Sequence, residues 1–158
     1  MRLTRFADIG LRVLMYLYRQ NREEVTITVA EISAQFDIPH NHLVKVVGHL
    51  VKRQLLIAIR GRNGGIRLGA LASQVKIGQL IADLENHDEL VNCEELQCRL
   101  KSSCLLRNAL QLGLNAFYEA MDRYTLADIA GGRTGEQIIQ LHRDFLKKEK
   151  VLPENSTI

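Results

Sequence analysis

The sequence predicts a mainly α-helical fold with one small β-hairpin. Two observations lead there. Apolar residues recur at helical spacing through most of the chain. One short apolar run at residues 55–59 is followed by the turn sequence RGRNGG and a brief alternating return. Apolar residues make up 46% of the 158, enough for a buried core, and with aromatics at 5% and Trp absent that core must be aliphatic.

In chain order, residues 3–20 predict a helix with Thr4 as N-cap. Leu3, Phe6, Ala7, Val13, Leu14 and Leu17 form one apolar face, and Leu11, Met15 and Tyr18 a second stripe beside it. Two faces on one helix predict contact with the chain's own core and with another element, such as a partner subunit. Residues 21–24 read as a polar turn. Thr28 caps a short helix over residues 29–36, with Glu31 at the capping-box position. Asp37-Ile38-Pro39 breaks it, and Pro39 suits the first turn of a helix running to residue 53. That helix turns Leu43, Val46, Val47 and Leu50 inward and His40, Asn41, His42, Lys45 and His49 outward. A short helix, a tight turn and a longer helix with a polar outer face predict a helix-turn-helix. Residues 55–59 and 66–68 form the hairpin, with Asn63-Gly64 supplying the turn. A hairpin directly after a helix-turn-helix is a wing, so residues 1–85 predict a winged helix-turn-helix domain.

Residues 75–85 predict a short helix, and residues 86–104 a polar, acidic loop. A long helix follows from about residue 104 to residue 124, with an apolar stripe through Leu105, Leu106, Ala109, Leu110, Gly113, Ala116, Phe117, Ala120, Met121 and Tyr124. That width predicts a dimerisation helix, assigned to residues 105–130. Gly131-Gly132 closes the compact part, and residues 131–158 predict a peripheral tail containing a charged helix. The longest apolar run in mid-chain is five residues, far short of the roughly 20 that cross a bilayer. The N-terminus has no apolar signal segment, so the expected location is cytoplasmic.

The net charge of +3 conceals a division. Residues 38–82 contain no Asp or Glu, where the chain's average predicts about five. Residues 83–98 contain six acids and no Lys or Arg. A basic half predicts a polyanion partner, and beside a helix-turn-helix that partner is double-stranded DNA. Asn41, His42 and Lys45 occupy the half of the helix that enters a major groove, with His40 and His49 on the same outer side. Arg60, Arg62 and Asn63 at the wing tip, and Arg67 on the return strand, would reach phosphates or the minor groove. The acidic stretch reads as a solvated loop, or as a surface that repels DNA from that side.

Three cysteines, Cys93, Cys98 and Cys104, lie within 12 residues as C-x4-C-x5-C, and no other cysteine occurs. An odd, clustered set without a secretion signal argues against a disulfide framework and for a metal or redox site. Thiolates are soft ligands that suit an iron–sulfur cluster or zinc. No nucleotide-binding loop and no Ser/His/Asp constellation stands on plausible elements, so the chain is not expected to be an enzyme.

The segment RGRNGGIRLG, the helix HNHLVKVVGHLVK before it, the cysteine spacing and the later YTLADI together resemble the Rrf family of winged-helix regulators, over residues 3–130. Within the family they are most similar to its nitric-oxide-sensitive repressors. The resemblance implies a homodimer on palindromic operator DNA. It implies an iron–sulfur cluster, [4Fe-4S] or [2Fe-2S], near the dimer interface, and DNA release when nitric oxide attacks that cluster. The family's regulators of cluster biosynthesis carry C-x5-C-x5-C and a histidine three residues after the third cysteine. Here the first spacing is one shorter and that position is Arg107, which cannot ligate iron. A fourth ligand would come from Asp8, Glu85, His87 or Asp88. The family suggests an acid from the partner's first helix, and Asp8 is the only acid in that helix. A cluster-homeostasis regulator and a zinc-stabilised winged helix without a sensing role stand as alternatives.

Overall fold

The computed structural model describes residues 2–20, 26–86, 89–95, 97–100 and 102–151. The polar turn expected at residues 21–24, the residues His87 and Asp88, and the tail beyond residue 151 lie outside these. The predicted fold class is observed: seven α-helices among the described residues, and a two-stranded antiparallel hairpin.

Helix α1 (Arg5–Arg19) starts where Thr4 accepts the Ala7 N–H at 3.2 Å. Helix α2 (Val29–Phe36) starts likewise, with Thr28 accepting the Glu31 N–H at 3.1 Å, and stops at Asp37, whose φ of 50° turns the chain. Helix α3 (His40–Lys52) follows and buries Leu43, Val46, Val47 and Leu50 against α1 and α2. Strands β1 (Leu56–Ile59) and β2 (Gly65–Leu68) pair with Leu56 opposite Leu68 and Ile59 opposite Gly65. Ile27 bridges to Ile66 on the far side of β2. Gly65 permits this, because a Cβ there would stand 2.7 Å from the Ile27 carbonyl oxygen.

Helix α4 (Ile77–Glu85) and helix α5 (Leu105–Met121) pack on each other, with the cysteine segment between them in sequence. One core joins α1 to α4, the hairpin, the four-residue α6 (Leu126–Ile129) and α7 (Gly132–Val151). Its members are mostly Leu, Ile and Val, as the composition required. Each fully buried Leu, such as Leu14, Leu43 or Leu50, contributes roughly 1.5–3 kcal/mol of burial.

Helix α5 differs from the rest. Only Leu114 is buried, while Leu105, Leu106 and Leu112 are each more than 60% exposed. An apolar face left open on one chain is what a subunit contact uses. The second stripe of α1 meets the chain's own core: Leu11, Met15 and Tyr18 are partly buried against it, as are Leu3 and Phe6 of the first face.

Helix α7 lies closer to the fold than a peripheral tail would. It packs on α1 and α2 and buries Ile138. His142 Nδ1 meets Glu31 Oε1 at 2.9 Å and the Tyr16 hydroxyl at 3.0 Å, and that hydroxyl donates to Glu31 Oε1 at 2.7 Å. Tyr16 is wholly buried there, edge-on to Phe36. The sequence placed Tyr16 on neither apolar face of α1, because its partners come from helices far along the chain.

Candidate nucleic-acid interface and cysteine site

The fold presents α3 and the wing. On α3, His40, Asn41, His42 and Lys45 are exposed. Asn41 turns its side-chain oxygen back to accept the His42 N–H at 2.9 Å, which steadies the first turn that Pro39 leaves without a side-chain cap. At the wing tip Arg60, Arg62 and Asn63 are exposed, and Gly61 adopts a φ of 110° that an L side chain rarely takes. The turn is braced where the Gly64 N–H donates to the Gly61 carbonyl at 2.9 Å and the Thr26 hydroxyl to the Asn63 carbonyl at 3.0 Å. Arg67, on β2 opposite Ile57, is half-buried. One residue joins this face that the sequence pattern did not select: Arg5 of α1 shares a cleft with His42 and Lys45.

His49 takes a different position from the other outward residues of α3. Its Nε2 meets Asp83 Oδ2 at 2.7 Å, and its ring stands edge-on to Phe6 with centroids 5.6 Å apart. Arg53 binds the other oxygen of Asp83. Burial alone would push the Asp83 carboxyl up, but the Arg53 and His49 contacts outweigh it and hold it below the usual carboxylate range. His49 is thus drawn off the outer face by a carboxylate 34 residues away, a pairing no local periodicity reveals.

Two of the cysteines lie in the loop before α5 and the third opens that helix. Cys104 is the N-cap, its Sγ accepting the Arg107 N–H at 3.4 Å. The Cys98 N–H donates to the Cys93 carbonyl at 3.1 Å, closing a tight loop. Cys93 is buried, and burial pushes its thiol up; Cys98 and Cys104 add to that, while Arg107 opposes it. Arg107, in the position where a ligand histidine was sought, is ion-paired with Glu89, and that carboxylate raises its own pKa. All three sulfurs are free thiols. Among the described residues no group of three His, Cys, Asp or Glu side chains stands ready to hold a metal ion. The donors nonetheless fit a soft metal in kind, since three free thiols are soft ligands and Cys98 and Cys104 both act on the Cys93 thiol. Holding one from three corners requires the loop to draw in.

Asp8 lies on α1, half-exposed, with both oxygens 3.0 Å from Arg12 Nε. Glu85 is committed to α1, accepting the Thr4 N–H at 2.7 Å. Within one chain neither is grouped with the cysteines.

No described helix is long and apolar enough to cross a membrane. The family model described as "Rrf2: Iron-dependent Transcriptional regulator" matches residues 3–132. Among solved structures, the chain is similar to the oxidized form of Staphylococcus aureus CymR, at 21% identity over 84% of this chain and 98% of that one, with a TM-score of 0.64. It is similar to CymR (YrzC), the global cysteine regulator of B. subtilis, at 23% identity over 82% and 96%, TM-score 0.63. It is similar to T. potens IscR at 19% identity over 82% and 85%, TM-score 0.62. At these identities the structures share the fold.

Proposed function

This chain belongs to the Rrf2 family of transcriptional regulators, and from that premise we propose that it is a homodimeric, nitric-oxide-responsive repressor whose hold on palindromic operator DNA depends on an iron–sulfur cluster. Cys93, Cys98 and Cys104 would hold the cluster, and Asp8 of the partner subunit would supply the fourth ligand. The observation that supports the reading is a set of three free thiols, one of them capping α5, on the segment that leads into a helix whose open apolar face suits a second copy of the chain.

When bound, the cluster supplies iron that reacts with nitric oxide. The chain's own residues do the rest. Cys104 aligns its sulfur with the N-terminal amides of α5, and Arg107 lends positive charge to the cluster loop. A carboxylate is a hard ligand for sulfur-bridged iron, so an Asp8 corner would be the readily displaced one. Its displacement would return Asp8 to Arg12 and loosen α1 from the partner. Two α3 helices must stand about 34 Å apart to enter successive major grooves, so a shift at the dimer contact weakens both half-sites together. Asn41, His42 and Lys45 would read and anchor each half-site, with Arg60, Arg62, Asn63 and Arg67 on the flanking backbone and His40 at the helix start.

The test is anaerobic purification. Iron, sulfide and a visible absorption band are expected, together with sequence-selective binding to DNA that the protein itself enriches from a random pool. Addition of nitric oxide should bleach the band and release the DNA. Colourless protein containing zinc would overturn the sensing reading, and release driven by iron depletion with indifference to nitric oxide would make the chain a homeostasis regulator.

A further inference from the structure

Helices α4 and α5 pack on each other and are fastened tightly at the start of α4. At the fastened end Gly78 lies against α5: a Cβ there would stand 2.1 Å from the Tyr118 carbonyl oxygen and 2.6 Å from Asp122 Oδ1. The Gln79 N–H donates to the same Asp122 oxygen at 2.9 Å. Away from that contact α4 ends at its C-cap Asn86, in a left-handed conformation, and α5 starts after its N-cap Cys104. The cysteine segment follows α4 in sequence, so a change in its span would act on the end of α4 farthest from the Gly78 contact.

Asp83 stands in the last turn of α4, at the end that leads into the cysteine segment. It holds the C-terminal half of α3 from two points, His49 at 2.7 Å and the Arg53 guanidinium. His49 carries the contact on to Phe6 of α1. Asp83 is only about one-fifth exposed, so its bonds operate partly shielded from water and salt. Two residues further on, Glu85 grips the N-terminus of α1. The end of α4 is therefore tied to the two helices that frame the DNA-facing cleft of Arg5, His42 and Lys45.

We infer that Asp83 is a positioning residue: through His49 and Arg53 it converts the span of the cysteine segment into the pose of α3 on DNA. This rests on α3 being the DNA-contacting helix and is independent of which metal, if any, the cysteines take. Coupling between two sites is reciprocal in free energy, so DNA seated on α3 must alter the cysteine segment as the segment alters α3.

Metal-free protein therefore suffices for the test. The rate at which iodoacetamide alkylates Cys93, Cys98 and Cys104 is measured with and without palindromic DNA enriched by the protein from a random pool, binding being followed in the same samples by fluorescence anisotropy. In the wild type, saturating DNA should change the alkylation rate by about 5-fold or more. Asp83→Glu, which keeps the carboxylate, should retain most of that response. Asp83→Asn should reduce it to less than about 2-fold while far-UV circular dichroism stays unchanged. Arg53→Ala, at an exposed C-cap, should reduce it in part, and serves as the decisive variant should Asp83→Asn not fold. A full response in the folded Asp83→Asn protein, or in Arg53→Ala when that variant decides, overturns the inference. So does wild-type DNA binding that leaves the thiols unaffected. Failure of the wild type to bind DNA at all instead overturns the regulator reading on which the inference stands.

Discussion

Cys104 accepts the backbone N–H of Arg107 at 3.4 Å, so a thiol rather than a hydroxyl caps α5, the helix with the open apolar face. One sulfur then has two duties, helix start and metal ligand, and substitution separates them. Cys104→Ser should keep or improve the cap while removing a soft ligand; Cys104→Ala should lose both, at a capping cost of about 1 kcal/mol. Iron content and thermal melting of the metal-free proteins check this: both variants should lose iron, and only the alanine variant should melt lower. Iron retained by both would remove Cys104 from the ligand set.

Arg62 stands exposed at the wing tip, with no part in the hairpin's backbone bracing. Arg62→Ala should weaken DNA binding across sequences and reduce the slope of log affinity against log salt by about one unit. Anisotropy titrations at several salt concentrations measure the slope, and an unchanged slope would take Arg62 out of the interface.

Helix α5 exposes Leu112 in a face otherwise made of Leu105, Ala109, Gly113 and Ala116. Leu112→Glu places a charge in any contact built on that face, and a desolvated unpaired charge costs several kcal/mol. Sedimentation velocity should find the wild type dimeric and the variant shifted toward monomer, with circular dichroism unchanged. A variant as dimeric as the wild type would move the subunit contact elsewhere.

The buried Tyr16 hydroxyl donates to Glu31, and burial first, then that carboxylate, push its pKa far above the ordinary tyrosine value. A group with a raised folded pKa contributes stability that is complete below its unfolded value and declines as pH climbs past it. Urea unfolding of the wild type should therefore weaken progressively above pH about 10. Tyr16→Phe should be less stable at neutral pH, by about 1–3 kcal/mol for the lost hydrogen bond to the Glu31 carboxylate, and should lose less on further alkalinisation. Parallel alkaline decline in both proteins would assign it to other groups.

Local patterns in the sequence identified the elements well. Thr28 with Glu31 marked the start of α2, and Asn63-Gly64 marked the wing. The stripe through Leu105, Ala109 and Gly113 marked a helix whose apolar face its own chain leaves uncovered. What was not legible lies in pairings distant in sequence. His49 shares its helical spacing with the outer face, and only Asp83, on another helix, turns it inward. Tyr16 falls between the two apolar stripes of α1 because His142 and Glu31 complete its environment. Helix α7 carries so many charges that its apolar contact, centred on Ile138, is hidden in its composition. The capping box of Thr125 and Asp128 was local and readable in YTLADI, yet four residues of helix are too few for periodicity to register.

In the proposed mechanism, metal held by Cys93, Cys98 and Cys104 sets the affinity for DNA. The direct measurement is a titration of one self-enriched palindromic DNA, under strict anaerobiosis and at fixed salt, with the protein as purified and with the same preparation after chelation. Affinity should fall on metal removal by a factor on the order of 100. Equal affinity in the two states, or a preparation that contains no iron from the outset, would contradict it.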